Sequence, residues 1–227
     1  MITSVAFVPS TPMLIPVVAE GAAHELDDVR SASIDVVRVA TDRVDDVVIV
    51  GRGEHNRLMM AGLGSMHGFG VDVEISLGDG SSDEIGLAGT IGLWLLSQAQ
   101  WQGPTSVQEV TDGDDCRRLG VELAAADGAR ALIIVGDGSA ARTEKAPGYL
   151  HPDAEAFDAE VERALRTGDV SALAALDAGR SAEVMASGWP AWQLAAACVE
   201  QSHVTSASLS VYAPFGVGYF VALWNCS

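Results

Sequence analysis

Two uninterrupted apolar runs constrain this chain more than any other feature: Val47-Val48-Ile49-Val50 and Ala131-Leu132-Ile133-Ile134-Val135. Both are short, both contain β-branched residues, and each stops at a glycine, Gly51 or Gly136. A strand covered on both faces needs apolar residues at every position, and such strands belong to parallel sheets packed by helices. The stretches between the runs carry the longer helical period. From about residue 20 to residue 43, Leu26, Val29, Val36, Val37 and Ala40 form one stripe, with acids early and arginines late, as a helix dipole favours. Residues 83–98 and 114–127 read as further helices. Another helix opens at Pro152 and Asp153 and is stopped by Gly168. Asp169 then caps a short helix to residue 176, and helical stretches follow at 182–186 and 191–200.

Ile2–Val8 and Thr105–Val110 read as strands, and the alternation of Val71, Val73 and Ile75 with acids predicts a half-exposed one. Residues 205–212 and 217–224 flank Pro214-Phe215-Gly216, a hairpin signal. No repeat or linker divides the chain. The expected fold is therefore a single α/β domain over residues 1–227: a sandwich with a central mixed sheet flanked by helices and a C-terminal β-hairpin.

With 48% hydrophobic residues in 227, a sizeable core is available. Thirteen Lys+Arg against 31 Asp+Glu give a net charge of −18, which repels phosphate backbones and anionic membrane surfaces. Nucleic-acid and membrane partners are thereby excluded. The first residues lack a signal peptide's basic region, and the longest uncharged run, 85–99, falls short of the ~20 residues of a membrane span. Cys116, Cys198 and Cys226 are scattered and form no C-x-x-C pair, as expected of reduced thiols in a cytoplasmic protein.

In open α/β sheets, ligands bind beyond the carboxyl ends of the strands. Three such ends are polar or glycine-rich: Pro9-Ser10-Thr11-Pro12, Gly51-Arg52-Gly53-Glu54-His55-Asn56 and Gly136-Asp137-Gly138-Ser139-Ala140-Ala141-Arg142. None has the Lys-Ser/Thr of a P-loop, the third glycine of a dinucleotide turn or a G-x-S-x-G elbow. Of the five histidines, His55 stands out, beside Glu54 just past a buried strand.

The order of these segments resembles the class III extradiol ring-cleavage dioxygenase subunit-B superfamily, which includes the Memo-like proteins. Residues 6–16 look like its opening strand and Pro-His-Pro-Pro-Leu turn, and 46–55 like its second strand and ligand loop. Residues 133–140 look like its strand followed by Asp-x-Ser-His. Phe157-Asp158 and Gly168-Asp169 match two helix motifs. The alanine-rich, Arg-over-Lys composition suits an actinobacterial branch. The resemblance implies, in active relatives, a ferrous site of two histidines and a glutamate, with another histidine as acid–base catalyst. Here the first ligand position holds Ser10 and the acid–base position holds Ala140. His55 is the one retained ligand candidate. Glu54 does not correspond to the family's C-terminal glutamate, and no acid follows Glu200.

The resulting expectation is a diverged, non-catalytic member with a cleft lined by Ser10, Thr11, Glu54, His55, Asp137 and Ser139. It would take a small molecule or a protein partner and no cofactor. The alternative is an enzyme, using Fe(II) or another divalent metal through substitute ligands, or acid–base chemistry around Glu54, His55 and Asp137. A homo-oligomer is also open: Trp189, Trp192, Phe215, Tyr219 and Trp224 suit an interface, although hairpin strands more often turn such rings inward.

Overall fold

The computed structural model describes residues 1–79, 82–111 and 115–227. The chain begins with β1 (Ile2–Val8), stopped by the prolines that follow, a short α1 (Pro16–Ala19) and α2 (Asp27–Ala40). The continuous helix expected from residue 20 is instead a 3-10 segment, Glu20–Leu26, followed by α2. Then come β2 (Asp46–Arg52), β3 (Arg57–Met59), β4 (Gly62–Ser65), β5 (Glu74–Leu77) and β6 (Glu84–Ile85). The strand predicted at 71–75 thus lies slightly later. β3 and β4 carry no alternation that the sequence pattern could have revealed. α3 (Leu87–Gln98) starts four residues after the expected position, because Glu84 and Ile85 pair with β4 as β6.

The remaining elements are β7 (Thr105–Val110), α4 (Asp115–Ala124), β8 (Arg130–Val135), α5 (Ala154–Thr167), α6 (Val170–Ala174), α7 (Ala178–Glu183), α8 (Trp189–Cys198), β9 (Val204–Tyr212) and β10 (Tyr219–Cys226). Asp114, the expected first residue of the third helix, lies outside the described residues. The helix expected at 182–186 is α7, which ends at Glu183.

A seven-stranded sheet runs in the order β3-β7-β2-β8-β1-β10-β9. β7, β2, β8 and β1 are mutually parallel neighbours, while β3, β10 and β9 join antiparallel. This is a mixed sheet with a C-terminal β9–β10 hairpin, as the sequence pattern requires. β4, β5 and β6 form a separate three-stranded sheet against α3.

Alternate residues of the parallel strands point to opposite faces. Val5, Phe7, Val48, Val50, Leu132 and Ile134 pack with α5 and α8, whereas Ala6, Val8, Val47, Ile49, Ile133 and Val135 pack with α2 and α3. Burial on both faces is why those runs contain no polar residue. Trp192, Tyr219 and Trp224 are buried, and Trp224 meets Phe7 edge to face at 4.9 Å while donating its indole N–H to Leu165 O. These rings therefore belong to the core. The cysteines are free thiols, with Cys116 and Cys198 buried. Among the described residues no helix is long and apolar enough to cross a membrane.

The connection from β2 to β7 carries α3 on one face of the sheet, whereas the chain after β8 goes on to α5 and α8 on the other. Adjacent strands whose connections part in this way leave a crevice at their carboxyl ends.

Candidate functional site

A cleft of about 610 Å³ occupies that crevice. Ser10 from the end of β1, Arg52, Glu54 and His55 from the end of β2, Val135 from β8 and Glu109 from β7 all line it. The first turn of α3 and Ser187, just before α8, complete the lining.

One wall is tied together internally. The Asp137 carboxylate accepts the Ser10 backbone N–H at 2.7 Å and the Ser10 hydroxyl at 2.9 Å. Ser187 Oγ accepts the Asp137 N–H at 3.0 Å and lies 3.2 Å from Ser10 Oγ. Gly188 N–H closes the arrangement on Asp137 O at 2.9 Å. The approach of α8 to β8 needs glycine: a Cβ on Gly136 would lie 2.3 Å from Gly188 Cα. Asp137 retains some solvent access but sits deep in protein. Loss of hydration pushes its pKa up to about 6, against the opposing effect of the two Ser10 hydrogen bonds.

Behind this wall lies a second buried acid. Asp158 on α5 accepts the Ser139 N–H at 2.7 Å, and its other oxygen has Arg142 at 3.6 Å and no hydrogen bond. Burial raises its pKa to about 6, partly offset by the Ser139 bond and the Arg142 charge. Ser139 is fully buried and its hydroxyl accepts the Ala141 N–H at 3.1 Å. It fastens the loop and does not reach the cleft, contrary to the sequence expectation. Thr11 is also buried, in hydrogen-bond contact with the Tyr219 hydroxyl, whose pKa burial and the nearby Asp137 push up to about 12. Asp137 stands behind Ser10 and outside the cleft lining proper.

The opposite wall is open. Glu54 and His55 are exposed, one residue past the tight contact where a Cβ on Gly53 would lie 2.6 Å from Glu109 Cβ. Below them Glu109, 3% exposed, accepts Arg57 Nε at 2.6 Å and Gly86 N–H at 2.7 Å. That bond anchors the start of α3. The hydrogen bond to Glu109 also raises the Arg57 pKa. Asn56 Oδ1 accepts the Thr111 N–H at 2.8 Å, tying the loop to β7.

The structure thus brings Ser10, Glu54 and His55 to one cleft with Asp137 behind it, and leaves Thr11 and Ser139 in the core. Arg57, Glu109 and Ser187 were not anticipated. The one available signal for Glu109 was an acid lying between Val107 and Val110 in an expected strand, since a buried carboxylate needs partners.

The ferrous site of the resembling family fits these residues poorly. Ser10 directs its hydroxyl to Asp137, Ala140 has no ligand atom, and His55 is the one imidazole in the lining. Among the described residues, one trio of metal-compatible side chains has its ligand atoms within 4.8 Å of one another: His151, Asp153 and Glu183. All three lie outside the cleft lining, and the two acids are exposed.

No protein-family model and no curated protein sequence matches the chain.

Proposed function

We propose that the protein is a diverged member of the class III extradiol dioxygenase subunit-B superfamily whose cleft binds a small polar molecule without iron-dependent ring cleavage. One observation carries this reading: Ser10, at the position the resemblance assigns to the first ligand histidine, hydrogen-bonds through both N–H and hydroxyl to Asp137. The group facing the cleft there is a hydroxyl already engaged by a buried acid, and a hydroxyl is a poor substitute for imidazole as an iron ligand. The cleft itself persists, with Arg52, Glu54 and His55 supplying charge and hydrogen-bonding capacity around an apolar floor at Leu87, Ala88 and Val135.

A second reading is acid–base catalysis at the same cleft, favoured by the Asp137 pKa of about 6, which lies close to a working pH. Ser10 would then transmit the proton between Asp137 and a bound molecule.

Anaerobic loading with ferrous iron, desalting, metal analysis and assay against catechols test the proposal. The expected result is substoichiometric iron and no ring-opened product. A thermal-shift screen of small polar compounds is expected to give stabilising hits that are lost in the Glu54→Gln/His55→Ala double variant. Stoichiometric iron with ring opening would overturn the first reading. Turnover of a hit that disappears in Asp137→Asn would favour the second.

A further inference from the structure

β9 forms one edge of the large sheet, and no described strand pairs with its outer side. At nine residues it is the longest strand described, and none of its residues is buried, whereas six of the eight in neighbouring β10 are. An open edge presents a row of unpaired backbone N–H and C=O groups. Proteins that remain monomeric guard such edges with charge, proline, a bulge or a very short strand. The other edge follows that rule: β3 has three residues and carries Arg57. β9, Val-Thr-Ser-Ala-Ser-Leu-Ser-Val-Tyr, has neither charge nor proline, although charged residues make up 19% of the chain. Its one irregularity lies at its beginning, opposite Asn225 and Cys226.

We propose that β9 pairs antiparallel with β9 of a second copy, joining two seven-stranded sheets into one. The sequence of the edge suits itself. Pairing about a two-fold axis at Ser208 sets Ser206 opposite the partner's Ser210 and Ala207 opposite the partner's Leu209. Hydroxyls then meet hydroxyls on one face. On the other, apolar residues extend the layer in which Ala207, Leu209 and Val211 already pack. Because β3 is short and guarded, pairing closes at two copies and does not propagate.

Charge sets how this pairing responds to salt. Two bodies of −18 repel each other, although the uncharged strand lets them meet without bringing acids of its own into contact. Salt shortens the reach of that repulsion to about 8 Å at physiological strength and less above it. Association through β9 therefore strengthens with salt, the opposite of an interface held by ion pairs. This inference is independent of what the cleft binds.

Sedimentation velocity of the full chain over a range of concentration and salt provides the test, alongside Ser208→Lys, which places two lysines face to face at the axis. The expected result is a monomer–dimer equilibrium that shifts toward dimer as salt rises and weakens at least about tenfold in the variant. Far-UV circular dichroism should be unchanged, because Ser208 is exposed. Hydrogen exchange should show β9 amides protected in the dimer. A monomer under all conditions, a dimer indifferent to Ser208→Lys, or one that salt dissociates would overturn the proposal.

Discussion

On one side of the cleft, Ser10, Asp137 and Ser187 satisfy one another at 2.7–3.2 Å, backed by the close contact of Gly136 with Gly188. On the other, Glu54 and His55 face solvent on a loop steadied by Asn56 and by the ion pair of buried Glu109 with Arg57 beneath it. Both sides are built from polar residues and glycine at strand ends. What separates them is depth. At the end of β8, in the middle of the sheet, an unpaired polar atom is costly, so the polar groups there form a closed network. Past the end of β2, water can satisfy the side chains, and they are free to engage a ligand. The closed side should govern stability and the open side binding.

The sharpest challenge to that division is Gly136→Ala. Its methyl group would have to displace the backbone at Gly188, at an expected cost of about 3 kcal/mol in urea denaturation. A loss below about 1 kcal/mol would mean that the closed side is looser than the contact implies.

Glu109→Ala should cost about 2 kcal/mol, because it strands the Gly86 N–H at the start of α3 and removes the acceptor of Arg57 Nε, which keeps its other bond to Glu84 O. The Arg57 share is limited by its 39% exposure. The loss should be accompanied by loosening of the open side, visible as faster hydrogen exchange in the first turn of α3.

A pH titration separates the two sides in another way. Asp137 and Asp158, both raised to about 6, bind protons more tightly in the folded state than in the unfolded state. The stability tied to those protons is complete below about pH 4 and is lost as pH rises through 6. Unfolding free energy should therefore increase from pH 7 to pH 5, by an amount on the order of 1 kcal/mol per group, and Asp137→Asn should flatten the slope.

The smallest stability effect belongs to Glu54→Gln and His55→Ala, within about 0.5 kcal/mol of the parent protein, since both residues are exposed. The same variants should abolish binding of any cleft ligand measured by calorimetry. Destabilisation beyond 1 kcal/mol would place structural work on the open side and erase the distinction.

The parallel block of the sheet was legible because its strands are buried on both faces, which writes an unbroken apolar run into Val47–Val50 and Ala131–Val135. The hairpin was legible for a local reason, the turn residues between two β-rich runs. β3, β4 and β6 were not, since two to four residues carry too little periodicity and are strands only because a partner lies beside them. The boundary of α3 shifted for the same reason, through Glu84 and Ile85.

Ser10, Glu54, His55 and Asp137 could be nominated because polar residues after buried strands are conspicuous. The sequence alone determined which strand ends carry chemistry, through the hydrophobic pattern that ends at each of them. Tertiary structure alone decided which of those groups face a cleft. It buried Thr11 and Ser139, set Asp137 behind Ser10, and brought Ser187 from 177 residues away to within 3.2 Å of Ser10. Hydrophobic periodicity is a local property of the chain, whereas the partner of a buried polar atom is fixed only when the helices close over the sheet.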